Sequence, residues 1–183
     1  MKNMLIGLTL ILFDFSLTFG GHSFELLPDF IGYWLLAQNM LLLKGQSTFF
    51  AKYEPAAKGA TAFAALVYLL DVIGLNISWL NFLLGLLCAL LQLAAAWICL
   101  QGIRELEALH KQDLLSAALE HDWKTMSLCV LISYLLSHIM IIGVLGWLVA
   151  LIFILGFMVD FKQAVLRFEH PQETPQLSAY TEE

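Results

Sequence analysis

The stretch from Ser78 to Gln101, SWLNFLLGLLCALLQLAAAWICLQ, contains no Asp, Glu, Lys or Arg, and its reading decides the class of the fold. As an α-helix rising about 1.5 Å per residue it is long enough to cross a bilayer, whose hydrocarbon core takes roughly 17–25 apolar residues. Its apolar residues run without the strict alternation of a barrel strand, so a helix is expected. The rest of the chain agrees. Hydrophobic residues make up 60% of it and charged residues only 13%, with a mean hydropathy of +0.80, which excludes the ordinary make-up of a soluble domain.

Working outward from that stretch, comparable runs occupy Met4–Gly20, Pro28–Leu43, Gly59–Leu75, Met126–Ile142 and Gly146–Phe161. With Ser78–Gln101 they make six, and the expected fold is all-α: a polytopic bundle of six transmembrane helices in three hairpins, one domain over residues 1–169. The first run begins like a signal peptide, but Asp14 interrupts it and no A-x-A cleavage site follows, so it is kept as a helix. Residues 170–183, HPQETPQLSAYTEE, are acidic, proline-containing and weakly hydrophobic, the composition of a disordered tail.

Basic residues set the orientation. Lys2 precedes the first run; Lys44, Lys52 and Lys58 lie between or at the edges of the second and third; Arg104, Lys111 and Lys124 lie between the fourth and fifth; Lys162 and Arg167 follow the sixth. All 9 basic residues therefore fall on one side if six spans alternate. The connections on the other side, Gly21–Leu27, Asn76–Ile77 and Gly143–Leu145, carry none. The positive-inside bias then places both termini in the cytoplasm. In the stretch 103–124, Ile103, Leu106, Leu109, Leu115 and Leu119 stand at helical spacing among charges of both signs, which predicts an amphipathic helix along the inner surface.

Several classes of function find no support. The net charge of −6 comes without a basic patch or nucleic-acid motif, so no nucleic acid is expected as a partner. Cys88, Cys99 and Cys129 all fall within apolar runs and read as packing residues. No nucleophile motif, metal-ligand spacing or cofactor fingerprint is present, so no catalytic residue, metal or cofactor is assigned. The expected partners are the lipid bilayer, a second copy or another membrane protein brought together by small residues such as Gly59, Ala60, Ala64, Gly85, Ala89, Gly146 and Ala150, and a cation or small cationic solute.

The candidates for a binding site are polar groups near the outer ends of the runs. Asp14, Asp71 and His138 lie inside runs, and Glu25, Asp29, Tyr33 and His22 lie at or before the start of the second. No Lys or Arg lies on that side to pair with the acids, and an ionised carboxylate in hydrocarbon is costly. Three arrangements would satisfy them: a structural hydrogen-bond network with Tyr68, Tyr134, Ser16, Ser137, Asn39 or Gln92; an anionic vestibule for a cation; or a proton relay. Pro28 and Asp29 also have a purely local explanation, since proline suits the first turn of a helix and an acid there favours the dipole.

The stretches LFDFSLTFGGHSFELLPDFIGYWLL, 12–36, and YLLDVIGL, 68–75, resemble a group of uncharacterised small multi-pass membrane proteins of Gram-positive bacteria. In that group a DF near the end of helix 1 is followed by an LPDFIGY-like start to helix 2. The resemblance implies a bacterial cytoplasmic membrane and carries no assigned activity. Transport or permeation of a cation, proton or small cationic solute is the function expected. A non-catalytic membrane subunit or scaffold, such as a substrate-binding subunit of an importer, is the alternative.

Overall fold

A computed structural model of the chain describes residues 1–13, 16–19, 22–25, 28–73, 78–136 and 140–169, with the backbone alone described for 16–19, 22–25, 78–81 and 140–144. Six helices account for most of it: α1 (Lys2–Leu12), α2 (Asp29–Leu43), α3 (Thr48–Ile73), α4 (Ser78–His110), α5 (Ser116–Leu136) and α6 (Met140–Glu169). Between α1 and α2 lies an antiparallel ribbon of β1 (Ser16–Phe19) and β2 (His22–Glu25), in which Ser16 pairs with Glu25 and Phe19 with His22.

Among the described residues three helices are long and apolar enough to cross a membrane: α3, the Phe82–His110 part of α4, and the Leu145–Glu169 part of α6. Only 11%, 28% and 17% of their most apolar stretches is buried inside the protein, so most of that surface faces outward, as lipid contact requires. The other three depart from six equal spans. α1 has 11 residues and α2 has 15, lengths of about 16 and 22 Å, against roughly 30 Å of hydrocarbon.

The first run is where sequence and structure differ most. α1 ends at Leu12, and Phe13 leaves the helix at φ −103°, ψ 92°. Ser16, Thr18 and Phe19 then follow in a strand, and the sequence puts Gly20-Gly21 before the next, a dipeptide suited to a two-residue hairpin connection. The expected helix Met4–Gly20 is thus helical only as far as Leu12 and extended over Ser16–Phe19. The fifth run is shorter as well: α5 stops at Leu136 and α6 begins at Met140, so Gly143–Leu145 lie inside α6 and form no turn. Residues 103–124 form no separate surface helix. The first part continues α4, the last opens α5, and the bend between them uses left-handed backbone at Lys111 (φ 52°) and Leu115 (φ 60°).

Successive helices pack antiparallel. On α1 and α2, a Cβ at Gly7 would stand 2.7 Å from the Gly32 carbonyl oxygen and 3.1 Å from Leu35, while one at Gly32 would meet Ile11 and Leu10. Two glycines therefore set this crossing, and a larger residue at either would force the helices apart. On α3 and α4, Phe50 lies against Gly102 near one end while Ala64 and Cys88 line the same crevice farther along. On α4 and α5, Trp123 Nε1 donates to the Leu93 carbonyl at 3.0 Å and Tyr134 Oη to the Phe82 carbonyl at 2.5 Å.

One end of the bundle is dense and charged. The core there is built from Met4, Leu8, Leu36, Met40, Phe50, Leu100, Ile103, Leu106, Phe157 and Phe161, all buried. The far end of α4 supplies acids that cap two neighbouring helices. Glu105 accepts from Ser47 Oγ, from Thr48 N (3.1 Å) and Oγ1 (2.6 Å) and from Phe49 N (2.9 Å) at the start of α3. Glu107 accepts from Leu114 N (3.1 Å) and Ser116 N (3.0 Å) at the start of α5. Around them stand the ion pairs Arg104–Glu120 (3.2 Å), Lys124–Glu120 (2.7 Å), Arg167–Asp113 (2.7 Å) and Lys2–Glu169 (3.7 Å).

Candidate functional site

A narrow crevice opens between α2, α3 and α4. Asp29 and Tyr33 line it from α2, one helical turn apart; Phe63, Ala64 and Val67 from α3; Cys88 and Leu91 from α4. Asp29 is the first residue of α2, where its carboxylate stands at the positive end of the helix dipole. Gln92 Nε2, on α4, donates to Asp29 Oδ2 at 3.2 Å. Tyr33 is buried, with 3% of its surface exposed, and just above it Phe30 meets Tyr68 edge to face at 5.7 Å. The space open to water centres is ≈ 10 Å³, room for about one water.

The crevice stands at different distances along its two long helices. Gln92 is about 20 Å along α4 from Glu105 at the charged end and about 21 Å from Ser78 at the other. Asp29 therefore lies level with the middle of α4 and, beside Ala64 and Val67, in the outer half of α3.

The remaining candidates are distributed as follows. Asp71 is exposed in the last turn of α3, one turn beyond Val67 and so on the crevice face of that helix. His22 and Glu25 belong to β2, which packs against α3. Asp14 and His138 lie outside the described residues, as does Ser137. Of the partners named for a hydrogen-bond network, Gln92 meets Asp29, and the side chains of Ser16 and Ser137 lie outside those described. Asn39 donates to the Leu35 carbonyl of its own helix at 3.0 Å, and Tyr134 is committed to Phe82.

Cys88 is a crevice residue that the candidate set lacks, while Gln92, named only as a possible hydrogen-bond partner, meets Asp29 there. Gln92 had a visible signal: between Asn81 and Gln101 it is the one side-chain amide in an uncharged helix. Cys88 had none, since a cysteine in an apolar run looks like packing. Among the described residues no three His, Cys, Asp or Glu side chains stand together as a metal site would need.

At the charged end three groups are shifted from their usual range, and one of them, Glu120, is lowered by the hydrogen bond and charge of Lys124 and by the charge of Arg104. The hydroxyl and amide donors of Ser47, Thr48 and Phe49 hold the Glu105 carboxyl down at about 2. Asp122, at the start of α5, is raised, first by burial and then by the charge of Asp160 on α6, with which it shares a hydrogen bond; His121 opposes the shift.

Comparison with protein-family models, with curated proteins and with solved structures finds no match for the chain.

Proposed function

We propose that the chain is a multi-pass protein of a bacterial cytoplasmic membrane, with both termini cytoplasmic, and that it passes a small inorganic cation or a proton by way of Asp29. The observation that carries the reading is the Asp29–Gln92 contact at 3.2 Å in a crevice with room for about one water, level with the middle of α4. A carboxylate at such a depth is expensive to maintain for structure alone and marks ion and proton pathways in membrane proteins. The short α2 adds support, because its first turn, at Asp29, is presented to whatever binds in the crevice. Tyr33 supplies a hydroxyl one turn below Asp29, and Asp71 supplies a second acid on the same face of α3 nearer the exterior.

The test is cation and proton flux into proteoliposomes across pH 5 to 8, with wild type beside Asp29→Asn and Asp71→Asn. Flux in wild type that Asp29→Asn abolishes and Asp71→Asn reduces is the expected result. Equal flux in all three folded proteins would defeat the reading.

The second reading, a subunit or scaffold, is favoured by Leu109, which is 60% exposed beyond the apolar part of α4 among charged neighbours. Its sign would be a partner retained in mild detergent and lost when Leu109 and Leu115 are changed to Glu.

A further inference from the structure

We infer that the species taken up at Asp29 is a proton, delivered by a single water that the Asp29 carboxylate and the Tyr33 hydroxyl hold between them, and that metal cations are not held there; the inference rests on the reading above and narrows it. The argument begins with Tyr33. It lines the crevice, only 3% of it is exposed, and among the described residues its hydroxyl has no hydrogen-bond partner. A buried hydroxyl left unmatched is costly and calls for a partner in the space it faces. Asp29 lines the same space one helical turn away on α2, so a partner of Tyr33 is within reach of the carboxylate. A carboxylate has about four acceptor positions and takes a water beside the bond it accepts from Gln92.

The donor set decides between a water and a metal ion. A buried water needs about two to four polar partners, and this pair supplies both kinds: the carboxylate accepts one of its hydrogens and the phenol donates to its oxygen. Hard cations ask for about six oxygens or more. Here they would find one carboxylate, one phenol and one amide. Phe63, Ala64, Val67 and Leu91 are apolar, and the backbone beside them is helix interior, whose carbonyls are spent on their own ladder. The first turn of α2 presents N–H groups where a cation would want carbonyl oxygens. For a soft cation, Cys88 and Asp29 are two ligands with no third His, Cys, Asp or Glu grouped with them among the described residues. A proton needs no coordination shell.

The transfer is a relay with a simple balance. A proton arriving on the bound water makes it hydronium; one O–H bond of the hydronium then breaks as the O–H bond of the Asp29 acid forms, and a neutral water is left. Asp29 then carries no charge among the apolar walls, the form that hydrocarbon surroundings favour. Release is the reverse step. Tyr33 keeps its own proton throughout and is a positioning residue, fixing the water against the carboxylate.

The test does not depend on transport. Dicyclohexylcarbodiimide forms an acylurea with a carboxyl group that is protonated and in apolar surroundings. The full chain in lipid nanodiscs is labelled with it across pH 5 to 9, in sodium, potassium or magnesium chloride and in choline chloride at equal ionic strength, and the adduct at Asp29 is read by mass spectrometry. The expected result is labelling that falls on the order of tenfold per pH unit above its midpoint, as for one titrating group, and that is the same in every salt. Slower labelling in a metal salt than in choline would overturn the inference, because the metal then occupies the carboxylate. Labelling that is absent or independent of pH would overturn it as well. These measurements use the unaltered chain. In Tyr33→Phe, which keeps the ring and loses the hydroxyl, the midpoint should be displaced and proton flux into proteoliposomes should fall on the order of tenfold, the weight of one hydrogen bond. A variant that matches wild type in both would overturn the part given to Tyr33 and its water. Labelling that follows pH and ignores metals, in a protein that shows no flux, would leave the proton site standing and remove the transport reading, so the two fail separately.

Discussion

Glu105 shows how much one side chain decides here. It leaves α4 to accept four hydrogen bonds from the opening of α3, doing for that helix what an N-cap residue does elsewhere. Glu105→Gln keeps the shape and loses the charge, and thermal unfolding in detergent at pH 7 should show a loss of about 1–2 kcal/mol. The pH dependence has a definite sign. A carboxyl held at about 2 when folded, against about 4.3 when unfolded, stabilises fully above the unfolded value; the contribution is lost as pH falls from about 4.5 toward 2. The Glu105→Gln protein should lose less stability than wild type across that window. Asp122 works the other way. Its raised carboxyl, shared with Asp160, favours the fold while protonated and loses that contribution as pH rises through its folded value. Asp122→Asn should flatten the decline on the neutral side, read by the same melts.

At the scale of elements, the α1–α2 crossing separates glycines that matter from one that does not. Gly32→Val would drive a side chain into Ile11 and the Gly7 carbonyl and should cost about 1–3 kcal/mol, with loss of helical signal at lower temperature. Gly59→Ala meets nothing within 4 Å and should be neutral or stabilising by up to about 1 kcal/mol through helix propensity. What sequence could reveal divides along the same line. Helices α3, α4 and α6 were legible because continuous apolar runs admit one reading in a membrane. The break after Leu12 was not, because FDFSLTF is apolar whether it coils or extends, and hydropathy counts residues without fixing their dihedrals. The turn expected near Gly143–Leu145 failed for a different reason. Gly146 approaches Ser133 Oγ, which would lie 2.9 Å from a Cβ there, so the glycine serves helix packing and not chain reversal. Of the crevice, Asp29 and Tyr33 were legible as polar groups at an apolar boundary. Their place beside Cys88 and Gln92 was not, since it depends on how the helices pack.

For the molecule as a whole, the charged end collects Lys2, Arg104, Lys124 and Arg167 in ion pairs with acids from α5, α6 and the bend before α5. If that end is cytoplasmic, reporter fusions after Lys111 and after Arg167 should both read as inside, and a fusion in the α3–α4 connection as outside. An outside reading after Lys111 would invert the proposed orientation.

The two capping acids of α4 also bear on how the protein is made. The first turns of α3 and α5 each draw donors' partners from the end of α4, so α3 leaves the ribosome with its opening amides and hydroxyls unmatched until α4 has been synthesised. Nascent chains halted after Ile73 should therefore remain sensitive to protease near Thr48, and gain resistance only once residues through Glu107 have emerged. The insertion machinery would have to handle α3 and α4 as a pair.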